Sequence, residues 1–195
     1  MSLEFECKQI LSKNAPLEVI CNKHNIILAK MSKKNEYVLK FNISNKNINI
    51  RRFTDWNIFD LLFTLNRDIL EDMVVSVINN GTRTYSYLFK RFGKELGISQ
   101  RFMSFDLNLV KEKDSVINYI SNSSKKNNII FSKSESVISN FTNFEINIIN
   151  DNSMDITYYY HIDLDEQMPK SMENIAGVLI KKLFWRYKTF IENLY

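Results

Sequence analysis

Two histidines and two cysteines are the whole stock from which acid–base or thiol chemistry could be built in this chain. His161 stands two residues before Asp163, at the end of the run DITYYYHID (155–163). A histidine beside a carboxylate can pass protons near neutral pH, so this pair could serve an acid–base enzyme together with neighbouring tyrosines. A histidine at a strand end more commonly lies at the surface, and that is the plainer reading. Cys7, Cys21 and His24 lie near one another in sequence, but a fourth ligand and a zinc-type spacing are missing. They read as two reduced thiols and a lone imidazole. The chain has no glycine-rich phosphate loop, no HExxH and no nucleophile elbow. No metal or cofactor is expected.

Arg101 opens the run RFMSFDLNLV (101–110) and is the most informative charged residue. Strand alternation puts Arg101, Met103, Phe105, Leu107 and Leu109 on one face. Tyr85, Tyr87 and Phe89 align likewise on TRTYSYLFKRF (82–92), as do Tyr158 and Tyr160 or, on the other face, Tyr159 and His161 on 155–163, where the tyrosine pair with Ile156 and Ile162 is the favoured choice. Such aromatic stripes can fill a solid core or line a pocket for an apolar ligand. Facing inward, Arg101 would need a carboxylate, a ligand head group or water. At the first residue of its strand it could equally reach solvent.

The elements that would hold these residues can be read from period and punctuation. With 195 residues, 45% hydrophobic and 13% aromatic, the chain has the composition of one folded domain, 1–195. Its net charge of +4 permits contact with an anionic membrane surface, whereas nucleic-acid binders concentrate more charge. Glu4, Glu6 and Lys8 interrupt the opening, so no secretory leader is expected, and no apolar run approaches the ~20 residues that span a bilayer. A soluble, cytoplasmic protein is the expectation. Residues 2–23 read as a helix interrupted near Pro16. Segments 25–31, 36–43 and 47–53 read as three short strands joined by SKKN and SNKN turns. At Thr54 the period changes to one suited to a helix or a broken helix pair through Met73, with Thr54 or Asp55 as the cap. Strands are expected at 82–92, 101–110, 115–121, 141–149 and 155–163, with a polar loop and a short strand across 121–136. Pairs Lys33–Lys34 and Lys125–Lys126 sit in polar turns and could steer the chain to anionic lipid.

The tail is a helix begun by Pro169, with Asp163, Asp165 and Glu166 near its positive end. Met172, Ala176, Leu179, Leu183, Tyr187, Phe190 and Leu194 share one face, widened by Ile180, Phe184 and Ile191. Lys170, Asn174, Lys181, Lys188 and Glu192 lie opposite as the polar face. An arc this wide suits a helix laid across a concave sheet.

Three segments carry a family resemblance. ISQRFMSFDLNLVKEKDSVINYISNS (98–123), NFEINIINDNSMDITYYYHIDLDEQMPKSMEN (143–174) and INIRRFTDWNIFDLL (48–62) resemble passages of the StAR-related lipid-transfer (START) family. Arg101 stands where the family's strand-opening arginine does, followed here by Phe102 rather than an acid. Glu166-Gln167-Met168 replaces the glycine usual before the closing proline. The resemblance implies an α+β helix-grip fold, a curved antiparallel sheet wrapped around the long C-terminal helix. It also implies a cavity between sheet and helix for a lipid, sterol-like or other hydrophobic ligand, without a catalytic centre. On that reading Arg101, Met103, Phe105, Leu107, Tyr85, Tyr87, Tyr158 and Tyr160 line the cavity. Phe184, Tyr187 and Ile191 cover it. Binding, with or without transfer between membranes, is the expected role, and a cyclase- or isomerase-type enzyme using His161 and cavity tyrosines is the rival.

Overall fold

The computed structural model describes residues 16–91, 99–121, 131, 134–136, 141–162 and 174–195. Strands β1 (Pro16–Lys23), β2 (Ile26–Met31) and β3 (Glu36–Ser44) form an antiparallel meander. A 3-10 turn (Ile50–Phe53) and helix α1 (Asn57–Leu65) follow. Then come β4 (Leu70–Asn79), β5 (Thr82–Phe89), β6 (Arg101–Lys113) and β7 (Val116–Ser121). The two-residue β8 (Glu135–Ser136), β9 (Thr142–Asn150), β10 (Ser153–His161) and helix α2 (Ile175–Glu192) complete the order.

Nine strands run β1-β2-β3-β10-β9-β7-β6-β5-β4 in one sheet, every neighbouring pair antiparallel. The short β8 adds in parallel to Arg101 and Phe102, where β7 does not reach along the longer β6. Alternation sends Leu28, Leu39, Phe41, Met103, Phe105, Phe144, Ile156 and Tyr158 to the inner face, all in one buried cluster with both helices. This is the helix-grip α+β architecture the sequence led us to expect: a curved antiparallel sheet gripping a C-terminal helix.

Three expectations need correction. Residues 16–23 are an edge strand, not the end of a helix; Pro16 is tolerated at a strand's first residue, where its missing N–H does least harm. The rest of the expected N-terminal helix lies outside the described residues. Segment 47–53 alternates like a strand, yet side-chain hydrogen bonds to its own backbone win. Asn49 Oδ1 accepts from the Arg51 amide at 3.0 Å, and Asn152 Nδ2 donates to the Asn45 and Ile48 carbonyls at 3.2 and 2.8 Å. The helical period expected through Met73 stops at Leu65, where the Asn66 side chain donates back to Leu62 O at 2.8 Å. Residues 70–79 are strand β4, whose Leu70 happened to fit the helical spacing. Asp55 does serve the helix start, accepting from the Asn57 amide at 2.9 Å.

Helix α2 presents Ile180, Leu183, Phe184, Tyr187 and Ile191 to the sheet as expected, but its polar face is not where the wheel put it. Lys181 and Lys188 are buried, and Phe190 is exposed. The two stems lie along the sheet edge of the helix while their ammonium groups reach polar atoms. Lys188 Nζ donates to Asn42 O at 2.7 Å and to Glu192, and Lys181 Nζ meets Cys21 Sγ at 2.9 Å. Gly177 permits close approach, since a Cβ there would lie 3.1 Å from the Tyr37 ring. The helix start at Pro169 and the acids before it lie outside the described residues.

The end of α2 is tied by polar groups. Asn45 Nδ2 bonds Ile191 O at 2.7 Å and Leu194 O at 2.8 Å, which satisfies carbonyls left open at a helix terminus. Arg186 makes a two-pronged contact with Asp68, joined by Lys182 at 3.4 Å. The Arg186 hydrogen bond holds the Asp68 carboxyl well below the usual carboxylate range. A carboxyl depressed in the folded state contributes stability above its unfolded value of about 3.9 and loses that contribution as pH falls. Asp68 is half exposed, so Asp68→Asn should cost only about 0.2–1 kcal/mol at neutral pH. Thermal melts should show that gap closing as the pH is taken progressively below about 4. A gap that acid leaves unchanged would detach Asp68 from this role.

Candidate functional site

Between the inner face and α2 lies a cavity of about 50 Å³. Strands β5 and β6 supply Tyr87, Phe89, Met103, Phe105 and Leu107. Thr142, Phe144 and Tyr158 come from β9 and β10, Phe59 and Leu62 from α1, and Leu70 from the start of β4. Ile180, Leu183 and Phe184 of α2 cover it. The surface is almost wholly apolar, and no lysine, arginine or histidine lines it. Aromatic rings crowd one side: Phe144 stacks on Phe184 at 5.3 Å, and Tyr158 lies 5.1 Å from Phe184. The volume is well under the roughly 300–1,000 Å³ of pockets that hold drug-sized ligands.

Tyrosine hydroxyls explain why the cavity is built from only part of the expected set. Tyr187, Tyr119, Tyr85 and Tyr87 donate to the carbonyls of Phe53, Thr54, Trp56 and Phe59, at 2.7, 2.9, 3.3 and 3.4 Å. Four rings from the sheet and α2 thus donate to carbonyls running from the end of the 3-10 turn into the first turn of α1. Tyr160 donates to Gly177 O at 3.4 Å, near the start of α2. Tyr158 differs. Its hydroxyl pairs with Thr142 Oγ1 at 3.1 Å, side chain to side chain, and both residues line the cavity.

Of the expected ligand-binding residues, the structure brings Met103, Phe105, Leu107, Tyr87, Tyr158 and Phe184 to the cavity. Tyr85, Tyr160, Tyr187 and Ile191 are buried in the same core but not in the cavity wall. Arg101 is buried at the start of β6, on its inward row and beside β8, and is also outside the lining. Sequence reasoning passed over Thr142 and Phe144, although extending the alternation of Ile146 and Ile148 backwards along β9 reaches both. Phe59 and Leu62 were visible only as helical core.

The acid–base alternative loses its central residue. His161 follows Tyr158 and Tyr160 by odd steps, so it shares the outer face with Tyr159, which packs against Ala29, Met31 and Val38, and it is buried there rather than at the surface as expected. A group on that face cannot reach a molecule in the cavity. His24 packs against Trp185 at 5.4 Å, Cys7 lies outside the described residues, and no cluster of metal-binding side chains occurs among the described ones. No described helix is long and apolar enough to cross a membrane. Lys33 pairs loosely with Glu36 at 3.8 Å in its exposed turn, and Lys125–Lys126 falls outside the described residues.

No family model and no curated protein matches this sequence. Solved structures do. Human StAR-related lipid transfer protein 5 superposes with a TM-score of 0.73 over 97% of this chain and 91% of its own, at 8% identity. The human StarD13 (DLC2) lipid transfer and protein localization domain gives 0.68 over 98% and 97%, at 12% identity. A STAR-related lipid transfer protein from Xanthomonas axonopodis gives 0.60 over 91% and 96%, at 10% identity. The fold is therefore START-like along nearly the whole chain.

Burial also sets how the tyrosines titrate. Burial pushes Tyr158 up to about 12 despite the Thr142 hydroxyl, and Tyr85 up to about 12 with help from the Asp60 charge. Tyr87, Tyr160 and Tyr187 are raised well above the ordinary value for the same first reason. Groups raised in the folded state contribute stability that is full below the unfolded value of about 10 and is lost as pH climbs past it. Melting temperature should therefore fall above about pH 10, with phenolate absorbance from these tyrosines rising only as the fold is lost. Phenolate appearing at its ordinary pH while the fold persists would contradict this burial.

Proposed function

We propose that this START-like domain binds a hydrophobic small molecule, a lipid in particular, in the cavity between sheet and α2, and carries it between membranes. The carrying observation is an uncharged, aromatic-walled cavity under a single covering helix. Apolar walls with few polar groups suit a ligand whose driving force is loss of contact with water. Met103, Phe105, Leu107, Tyr87 and Phe184 are the contacts for its apolar body.

At about 50 Å³ the cavity must widen to admit such a ligand. The ties on α2 suggest where. Its second half is held by Lys188 to Asn42 O at 2.7 Å, Tyr187 to Phe53 O at 2.7 Å, Asn45, and the Arg186–Asp68 pair. Nearer its start the ties to Gly177 O and Leu183 O are longer, at 3.4 and 3.3 Å, and beside the apolar contacts of Ile180, Leu183 and Phe184 the short polar contact to break is Lys181 to Cys21 Sγ at 2.9 Å. Displacing the first half would expose the cavity while the second half keeps the helix attached.

Filling the cavity should block uptake. Leu107→Trp adds bulk at a cavity wall and should weaken uptake of an NBD-labelled lipid from phosphatidylcholine vesicles about ten-fold or more, equivalent to about 1.4 kcal/mol. Val19→Trp, at a strand position 59% exposed, should leave uptake unchanged. Melting temperatures are followed in parallel, so that misfolding is not mistaken for blockage. If a folded Leu107→Trp protein takes up lipid as well as wild type, the cavity is not the site.

A further inference from the structure

The Thr142–Tyr158 pair is left with hydrogen-bonding capacity that no described group uses. Two hydroxyls carry two donor protons, and either oxygen can donate in their mutual bond at 3.1 Å. One proton is used there. The other proton, and lone pairs on the oxygens, have no further partner among the described groups. Thr142 is 3% exposed and Tyr158 7% exposed, so bulk water does not supply one. Buried donors in an apolar site are costly to leave unmade, and nearly all in folded proteins are paired. Tyr85, Tyr87, Tyr119, Tyr160 and Tyr187 each meet that demand with a main-chain carbonyl.

Building on the ligand-binding reading, we infer that Thr142 and Tyr158 are the specificity-determining anchor of the cavity, and that its ligand carries one uncharged hydroxyl or carbonyl oxygen. The pair can donate one bond to that oxygen and, for a hydroxyl, accept one in return. An anionic head is disfavoured, because no cation lines the cavity to offset its desolvation. A bare hydrocarbon would leave the hydroxyl pair as it stands, without the missing bond. Tyr158, pushed up to about 12 by burial, remains a neutral donor throughout the physiological range.

The test compares 1-decanol, decane and decanoate as competitors for the NBD-labelled lipid on the whole chain. Wild type should bind decanol roughly three- to ten-fold more tightly than decane, the worth of one net hydrogen bond, and decanoate more weakly than decanol. Thr142→Val and Tyr158→Phe each delete one hydroxyl with little change of shape. Either change alone leaves one free hydroxyl and should keep the preference for decanol, whereas the double variant should erase it and leave decane unchanged. Equal binding of decanol and decane by wild type would overturn the anchor while leaving cavity binding intact. Tightest binding of decanoate would overturn it too, by requiring a cation at the head, as would variants that weaken both uncharged probes alike. Failure of all three probes to compete would instead overturn the cavity reading on which the anchor rests.

Discussion

A sheet of this width has an inner face it cannot bury on its own, and one helix must cover it. That constraint orders the rest of the molecule. The face carries large side chains from every strand between β2 and β5, and α2 answers with Ile180, Leu183, Phe184, Tyr187 and Ile191. Hydrophobic burial holds such layers together but does not fix where the helix sits along them. Position comes from directional contacts at the edges: Asn45 on the last carbonyls, Lys188 on Asn42, Lys181 on Cys21, and Arg186 on Asp68. A single helix over a broad face also leaves a gap where the rings fail to interlock, and that gap is the cavity.

The small 3-10 and α1 segment fills the remaining opening, and it is there that the tyrosines are used. A short helix among apolar rings has carbonyls with no water to meet. The hydroxyls of Tyr85, Tyr87, Tyr119 and Tyr187 meet them from three directions. A residue type that resembles ligand-facing polarity in the sequence thus turns out to be spent mainly on the protein's own backbone. Tyr158 sits across from Phe144 on β9, and its hydroxyl meets that of Thr142, two residues before Phe144, rather than a main-chain carbonyl.

The fold was legible because alternation along β5, β6, β9 and β10 and the wide apolar arc of α2 are strong signals, each repeated over many residues. What escaped was decided by single contacts. Nothing in NINIRRF says that Asn49 and Asn152 will capture its backbone, and nothing in ILEDM says that Asn66 has already ended the helix. Lys181 and Lys188 look like solvent residues on a wheel, because a wheel does not know how far a lysine stem can run beside a sheet edge. The site was half legible: the facing rows of β5, β6 and β10 were right, but which row members border a void depends on how neighbouring rings interlock, which no period encodes.

The placement of β10 has a consequence for how the chain acquires this shape. The strand lies between β3 and β9, so the meander β1–β3 and the stretch β4–β9 are separate half-sheets until residues 153–161 join them. On a ribosome, those halves would wait with unpaired edges through most of synthesis, and α2 would emerge later still. Pairings between residues as distant as Asp155 and Asn42 pay their loop-closure entropy before gaining much in return. Folding should therefore be slow and late, governed by one closing strand, with β3 and β9 as the edges most open to wrong partners in the meantime.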